Sequence, residues 1–434
     1  MRIAWCTPFS PESAIGLVSA MAVEELAQRD GIEVDVWHPS RSRGRRWSGT
    51  TKVLDPDQVH ELATYDAVVY HLGDHSVNHL DLWKASLQVP GLVVLHDVAL
   101  GNLFHGFLLE GGAYPEEFGR WYGPEVQARA AAVLAGEPED APWLDEGGAA
   151  YPFLSLATRG ARHVVVHSQY AARAVTPVVL ADVDVVGLPA PRSCDVEPVL
   201  PDGVPTDVPI VLQAGVFNPN KRIDTVVAAV AELARTRPTH LVVAGRPGVL
   251  GMQELHDLVR AQGLTDVTVV ENPSDAMLAG LRARADVAVV LRQPCLEGAS
   301  YAMLESLAAG LPVVATDAGS YAEVTGPFIE HVSTPPTPSD VAAALASLLD
   351  RETAGMAGAA QAYVCEQHTA ATYADGILRV LRDRTGAGPR HRLVHVLGRV
   401  LGTWGLAEID GVIDTVAQRV EELFAADPVV PPVR

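Results

Sequence analysis

Residues 285–316 read ADVAVVLRQPCLEGASYAMLESLAAGLPVVAT, and this pattern predicts the architecture of the chain. The apolar run at 285–291 has the length and the valine content of a buried strand. An Ala- and Leu-rich stretch follows it and ends at Gly310, after which a second valine-rich run begins. The segment therefore predicts a strand, a helix and another strand, as in a parallel α/β sheet.

Two glutamates of this segment, Glu297 and Glu305, enclose seven residues. The first is predicted in the loop before the helix and the second about two helical turns later, roughly 11 to 12 Å along the axis. A carboxylate accepts hydrogen bonds in pairs, so the two suit separate sets of sugar hydroxyls. Gly298, Ala299 and Ser300 offer N–H groups to a phosphate or sugar oxygen at the helix start. The alternative is that both glutamates are ordinary helix charges.

Length, charge and cysteine content narrow the class of protein. The 434 residues are too many for one core and fit two α/β domains. The net charge of −21 argues against a nucleic-acid partner and against adsorption to an anionic membrane surface. The four cysteines lack the spacing of a metal site and are predicted to be reduced thiols. With neither a signal peptide nor a membrane-spanning apolar run, the sequence predicts a cytoplasmic protein.

Apolar runs alternate with helical stretches in two series. The first series places strands at 2–5, 32–37, 67–71, 92–96, 164–167 and 183–186, and the second at 209–215, 241–245, 267–270, 287–291 and 312–316. Such alternation predicts two parallel, doubly wound sheets, the second with about five strands. The proline-rich stretch at 189–208 between the series predicts a linker.

The segment from Glu297 to Glu305, with its continuation AAGLPVV at 308–314, resembles the E-x7-E element of retaining GT-B glycosyltransferases of family 4. The resemblance covers roughly residues 1–384 and is strong over 215–324. It implies an α/β protein with two Rossmann-like domains that face each other across a cleft. The predicted order is an acceptor-side domain at 1–188, the linker at 189–208, a nucleotide-sugar-binding domain at 209–370, a helix at 371–388 that returns to the first domain, and an amphipathic helical tail at 389–434.

The resemblance assigns the donor site to the second domain. Glu305 would hold the ribose hydroxyls, and Glu297 with the amides after it would hold the hexose. The implied donor-binding residues are Gly16, Gly215, Arg292, Gly298, Ala299, Ser300, Tyr301 and Glu305.

A loop after the first strand of the second domain is expected to bind the diphosphate. In the family this loop has a glycine, an arginine, and a lysine six positions after the glycine, and the two cations neutralise the departing phosphates. Gly215 and Lys221 match, whereas Val216 occupies the arginine position. Three arginines could supply the missing charge, and the last of them is preferred because it ends the strand leading to Glu297: Arg222, Arg246 and Arg292.

Polar residues of the first domain are expected to line the opposite wall. His96 and Asp97 follow the fourth apolar run, where the family commonly has a His-Asp pair facing the hexose; an ordinary loop histidine is the alternative. His71 and Asp74, with Asp97, are expected on the acceptor side. Gly16 lies where a family glycine loop touches the donor phosphates. The histidines lack the spacing of a zinc site, and no metal is predicted.

The sequence therefore predicts a retaining glycosyltransferase that moves a hexose-type sugar from a nucleoside diphosphate sugar to a soluble acceptor, a natural product or a glycan precursor. His96, Lys221 and Glu297 are the predicted catalytic residues, and no cofactor is expected besides the sugar nucleotide as co-substrate. The tail is expected to pack against a neighbouring element or to form a homodimer. Three alternatives are a sugar-nucleotide 2-epimerase of the same fold, a phosphorylase-type enzyme, and a non-catalytic nucleotide-binding partner subunit.

Overall fold

The computed structural model describes residues 1–10, 13–40, 45, 47–110, 114–136, 147–179, 181–191 and 197–383, with a few positions between 397 and 419. The tail predicted at 389–434, and with it the predicted dimer contact, lies almost entirely outside these residues. In the described part of the chain, no helix is long and apolar enough to cross a membrane.

The first domain contains a seven-stranded parallel sheet. Its strands are β1 (Arg2–Cys6), β2 (Glu33–Pro39), β3 (Thr50–Leu54), β4 (Ala67–Leu72), β5 (Gly91–Leu95), β6 (Ala161–Val166) and β7 (Asp182–Val185), in the order β3-β2-β1-β4-β5-β6-β7. In register, Trp5 of β1 lies between Val36 of β2 and Val69 of β4. Every residue of β4 and β5 is buried, as expected for central strands covered by helices on both faces.

Eight helices of the first domain are described. They are α1 (Ala14–Leu26), α2 (Ser76–Gln88), α3 (Gly101–Glu110), α4 (Tyr114–Tyr122), α5 (Pro124–Leu134), α6 (Gly147–Ala150), α7 (Leu154–Ala157) and α8 (Gln169–Val175). Phe104, Phe118 and Phe153 are fully buried and pack ring against ring, which attaches α3, α4 and the segment before α7 to one another. Aromatic burial of this kind stabilises an insertion that contributes no strand to the sheet.

The second domain contains a six-stranded parallel sheet. Its strands are β8 (Ile210–Ala214), β9 (His240–Gly245), β10 (Val267–Glu271), β11 (Val287–Val290), β12 (Val313–Thr316) and β13 (Ile329–Val332), in the order β10-β9-β8-β11-β12-β13. Its helices are α9 (Ile223–Ala234), α10 (Met252–Ala261), α11 (Asp275–Arg284), α12 (Tyr301–Ala308), α13 (Pro338–Leu349) and α14 (Thr353–Gln367). The prediction of two doubly wound parallel sheets is confirmed.

Two strands were not predicted, and both lie at sheet edges. β3 has the sequence TTKVL and only its last residue is buried, so it shows no apolar run. β13 is four residues long and has a glutamate and a histidine at its centre. An edge strand needs fewer apolar side chains because one side of it faces no neighbouring strand. The second sheet therefore has six strands, where about five were expected.

The chain crosses between the domains twice, and the two crossings are bonded to each other. Ala190 donates its N–H to the carbonyl of His368 at 2.8 Å, and the His368 ring bonds the Leu188 carbonyl at 2.7 Å. The last described helix, α15 (Ala370–Arg382), then packs against α1 of the first domain. The second domain is thus held to the first at both of its ends.

Helix α1 approaches the loop after β1 very closely at Gly16. A Cβ at this position would lie 2.4 Å from the carbonyl oxygen of Ser10 and 2.6 Å from that of Pro8. The amide of Gly16 already donates to the hydroxyl oxygen of the helix cap, Ser13, at 3.2 Å. The structure therefore gives Gly16 a packing role, and its N–H, predicted to touch a donor phosphate, is occupied.

We expect Gly16→Ala to lower the free energy of unfolding by about 1 to 3 kcal/mol, because two backbone carbonyls must move. The matched control is Gly358→Ala in α14, where a Cβ would meet nothing within 4 Å. This control should be neutral or stabilising by up to about 1 kcal/mol, since alanine has the higher helix propensity. Denaturant midpoints measure both variants, and equal midpoints would contradict the close approach.

Candidate active site between the two sheets

The carboxyl ends of the central strands of the two sheets face each other, and backbone hydrogen bonds join them. Asp97, after β5, forms an antiparallel bridge with Glu297, after β11. The amide of Gly298 donates to the carbonyl of His96 at 2.8 Å, and the hydroxyl of Ser168 donates to the carbonyl of Gly298 at 2.6 Å. In this structure the Gly298 amide is bonded within the protein, and its contact with a donor oxygen stays a prediction.

Lys221 is a buried cation at the carboxyl end of β8. Gly215 follows that strand with φ of 111°, and a Cβ there would lie 2.2 Å from Lys221 Nζ. Nζ lies 3.5 Å from the carbonyl oxygen of Ala214, and among the described residues no carboxylate is at ion-pair distance from it. Burial, reinforced by the charges of Arg292 and Arg246, lowers the pKa of Lys221 to about 7. A bound anion would stabilise its protonated form.

Glu297 is held by an arginine and a tyrosine. Its Oε1 accepts from Arg292 Nε at 2.9 Å, and its Oε2 accepts from the hydroxyl of Tyr321. The Arg292 side chain is 7% exposed, and its Nη1 donates to the Leu291 carbonyl at 2.8 Å. Burial acts to raise the pKa of Glu297, but the Arg292 charge and the Tyr321 hydrogen bond outweigh it and hold the pKa below its usual value. The charge of Arg292 is thus compensated by Glu297.

Helix α12 begins at Tyr301, later than the sequence suggested. Ser300 caps it by accepting the N–H of Met303 at 3.3 Å. Three non-helical residues, Gly298, Ala299 and Ser300, therefore separate Glu297 from the first helical residue. Glu297 lies in the loop before the helix, as predicted, and its backbone is part of the interdomain bridge.

Glu305 forms a second carboxylate–arginine pair. Its Oε2 accepts from Arg282 Nη2 at 2.7 Å, and the two side chains are 20% and 14% exposed. Burial raises the pKa of Glu305, and the Arg282 charge opposes this shift. A cavity of about 90 Å³ lies beside Glu305, Arg282 and Gly215, between α11, α12 and the ends of β8 and β11. The predicted donor residues Gly215 and Glu305 therefore line one space.

Four buried histidines lie at the carboxyl edge of the first sheet. Hydrogen bonds join the rings of three of them, His71, His96 and His167, into a row that we call the histidine ladder. His167 Nδ1 bonds the Val186 carbonyl at 3.0 Å, and its Nε2 lies 3.2 Å from His96 Nδ1. His96 Nε2 lies 3.0 Å from His71 Nδ1. His79 Nδ1 bonds the His71 carbonyl at 2.9 Å. Both ring nitrogens of His96 are thus engaged, and a contact with a hexose would require one of these bonds to break.

All hydrogen bonds of the histidine ladder are donated in the same direction, from His71 towards His167. A carbonyl only accepts, so His167 carries its proton on Nδ1 and accepts at Nε2. His96 and then His71 must donate from Nδ1 in turn, which leaves the Nε2 lone pair of His71 buried and without a partner in the described structure. Burial lowers the pKa of all four histidines, to about 4 for His79 and His167. A ring that donates from Nδ1 and accepts at Nε2 must be neutral, so the lowered pKa values agree with these hydrogen bonds.

Asp97 is the partly exposed carboxyl of the first domain at the bridge. Its Oδ2 accepts the N–H of Asp74 at 2.8 Å, while Asp74 itself accepts from Asn102 Nδ2 at 2.7 Å and from the Leu103 N–H at 3.0 Å. Burial, then the charges of Asp74 and Glu297, raises the pKa of Asp97 to about 8. At neutral pH Asp97 is therefore mostly a protonated acid, able to donate a hydrogen bond to a hydroxyl. Among the described residues, no group of His, Cys, Asp or Glu is arranged to hold a metal ion.

Comparison with known proteins identifies the second domain. Residues 201–357 match the family model described as glycosyl transferases group 1. This part of the chain is therefore similar to group 1 glycosyltransferases. A D-inositol 3-phosphate glycosyltransferase 2 from Catenulispora acidiphila is 35% identical to the chain over 162 residues, which are 34% of this chain and 36% of that protein. The match thus spans about a third of the curated relative.

Solved structures extend the likeness to both domains of the fold. A sucrose-phosphate synthase from Thermosynechococcus elongatus superposes with a TM-score of 0.62 and 17% identity, over 89% of this chain and 100% of that one. HepE from Anabaena, in complex with UDP and glucose, superposes with a TM-score of 0.58 and 16% identity, over 88% of this chain and 100% of that one. The predicted GT-B fold is therefore confirmed, and the residues matched by the group 1 family model lie in its second half.

Several site residues were not predicted from the sequence. Tyr321 and Arg282, which bond the two glutamates of the second domain, lie 24 and 23 residues away from them along the chain. His167 was assigned no role, although it follows a predicted strand in the same way as His71 and His96. That shared position at strand ends was the available signal, because parallel strands bring such residues to one edge. For Tyr321 and Arg282 no sequence signal was available.

We expect selective ¹⁵N-histidine NMR at pH 7 to show His71, His79, His96 and His167 as neutral rings protonated on Nδ1. Because their pKa values are lowered, His79 and His167 should remain neutral at pH 5.5, where an ordinary histidine is mostly charged. Single His→Gln variants assign the four signals. A ring protonated on Nε2, or an imidazolium at pH 7, would show that the ladder does not have this direction.

Proposed function

We propose that the protein is a retaining glycosyltransferase that moves a hexose-type sugar from a nucleoside diphosphate sugar to a soluble acceptor. The observation that carries this proposal is the buried, unpaired charge of Lys221 beside Gly215, next to two arginine-bound glutamates at the carboxyl ends of β8 and β11. A site with this surplus of positive charge suits an anionic leaving group. The group 1 family match and the UDP bound by HepE support the same class of donor.

The proposed roles follow from the geometry. Lys221 neutralises the diphosphate, and Glu305, fixed by Arg282, accepts the two ribose hydroxyls. Glu297 faces the cleft at the bridge to the first domain and is proposed to hold the hexose. Asp97, across that bridge, is proposed to hydrogen-bond the acceptor hydroxyl, which the first domain would bind.

In the proposed reaction the bond from C1 of the sugar to the phosphate oxygen breaks, and the bond from C1 to the acceptor oxygen forms on the same face. The acceptor proton passes to the departing phosphate oxygen. This mechanism needs positioning and charge stabilisation, without an enzymatic nucleophile. The similarity to the inositol phosphate glycosyltransferase covers 34% of this chain, and the acceptor in this proposal is therefore given only as a soluble hydroxyl compound.

We expect one of UDP, GDP, ADP or dTDP to raise the melting temperature of the wild type and to have little effect on Glu305→Gln. A ligand at 100 times its dissociation constant adds about 2.7 kcal/mol of stability, which a thermal shift detects. The control is Glu330→Gln, which removes another arginine-paired glutamate, at the edge strand β13 of the same domain. This variant should respond as the wild type does.

The same nucleotide, coupled to a hexose, is then tested for transfer with a panel of soluble acceptors and for configuration at C1 by proton NMR. Retention at C1 is expected. Inversion would contradict the retaining mechanism, and consumption of the donor with an altered sugar would identify an epimerase. The absence of a shift with all four nucleotides would contradict the proposed function.

We expect the affinity for this nucleoside diphosphate to fall above pH 7 by up to tenfold per pH unit. Lys221 loses its proton as the pH rises through about 7, whereas the diphosphate binds the ammonium form. Below pH 7 the lysine is already charged and the affinity should level off. Calorimetry at pH 8 in buffers of different ionisation enthalpy measures how many protons the protein takes up when the diphosphate binds. We expect close to one proton for the wild type and none for Lys221→Met. An affinity that is constant from pH 7 to 9 would contradict this coupling.

A further inference from the structure

The loop after β9 is built directly against the loop that contains Val216. Phe217 donates its N–H to the carbonyl of Arg246 at 2.9 Å. A Cβ on Gly245 would lie 2.0 Å from the carbonyl oxygen of Gly215, and one on Gly248 would lie 2.7 Å from Cγ1 of Val216. The two loops therefore run side by side, and Arg246 is the charged residue of the second loop.

The other arginines around Lys221 each have a carboxylate partner. Arg222 makes two bonds to Asp224, at 3.0 and 3.2 Å, and a third to Gln293 at 3.1 Å. Arg292 is paired with Glu297 and Arg282 with Glu305, as described above. Their charges are therefore already compensated within the protein.

Arg246 differs from these three. It is exposed, and within the described ranges no carboxylate lies at ion-pair distance from it. Its charge also acts on Lys221, where it lowers the pKa together with that of Arg292. Two cations without a carboxylate partner therefore lie near each other at the ends of β8 and β9. An anion with two charged groups would compensate both.

We propose that Arg246 supplies the second positive charge of the diphosphate site, in place of the arginine whose position Val216 occupies. This inference rests on the proposed function and deepens it. It replaces the sequence-based preference for Arg292, because the charge of Arg292 is compensated by Glu297. The second cation thus reaches the ligand from the loop after β9, while the lysine remains on the loop after β8.

The position of Val216 explains how such an exchange preserves the site. Its side chain lies against Gly248, and Arg246 lies on the same loop two residues earlier. The backbones at positions 216 and 246 belong to two loops that are in contact. Arginine side chains at these two positions would therefore begin close to each other. The guanidinium can therefore be supplied from either loop to one region in front of Lys221, and it offers a fork of N–H donors that matches phosphate oxygens.

Calorimetric titration with the nucleoside diphosphate that stabilises the wild type, and with its monophosphate, tests this assignment. Arg246→Ala should weaken the diphosphate by about tenfold or more, the effect of losing one charge-assisted contact, and the monophosphate by much less. Arg246→Lys should retain most of the diphosphate affinity. The matched control is Arg260→Ala on α10, whose side chain is paired with Asp257 at the surface, and it should bind as the wild type does.

The double variant Val216→Arg, Arg246→Ala provides a rescue that a general loss of folding could not imitate. We expect it to recover much of the diphosphate affinity and of the preference over the monophosphate. The assignment is overturned if Arg246→Ala binds the diphosphate like the wild type, if it loses both nucleotides equally, or if the double variant recovers nothing. These outcomes leave the proposed function in place, because the wild type still binds; a wild type that binds no nucleotide would refute both.

Discussion

The antiparallel bridge between residues 96–98 and 296–298 is the contact on which the arrangement of the cleft depends. It contains two backbone hydrogen bonds, from Val98 to Leu296 and from Gly298 to His96, each at 2.8 Å. Backbone groups carry no side-chain freedom, so such bonds fix the distance between two loops closely. The backbone of Glu297 is part of the bridge, and its carboxylate pairs with Arg292. The bridge therefore determines where the chemistry of the second domain meets the first.

The charges of the site are arranged so that each carboxylate is satisfied and a surplus of positive charge remains. Glu297 and Glu305 each bind one arginine, which keeps two buried acids from being left unpaired. Within the described part of the chain Lys221 has no such partner, and it is held under Gly215, where only a residue without a side chain fits. A buried lysine without a counter-ion is unfavourable in the charged form. The fold maintains this unfavourable burial of a charge, and the anionic ligand proposed above would offset it.

The first domain buries several histidine rings, and they are uncharged. His71 lies at the end of β4, and His96 and His167 directly follow β5 and β6, so parallel topology brings the three rings into one row. Each ring donates to the next and the last donates to a backbone carbonyl. Neutral rings in a fixed tautomer satisfy the rule that buried polar atoms are bonded, with the exception of the Nε2 atom of His71. This row supports the loop at His96, whose carbonyl accepts the N–H of Gly298 from the second domain.

The sequence by itself determined the two parallel sheets, the linker and most strand positions, because buried central strands must be apolar and their turns must be polar. It also determined Gly215, Lys221 and the two glutamates as candidates, since local spacing expresses their chemistry. Only the tertiary structure decided which groups meet: Tyr321 with Glu297, Arg282 with Glu305, and Arg246 beside Val216. It also showed that the amides of Gly16 and Gly298 and the ring nitrogens of His96 have partners within the protein, so their expected contacts with a ligand stay predictions. Hydrogen-bond partners and charge compensation depend on distances in space between segments far apart in the chain, which no local pattern records.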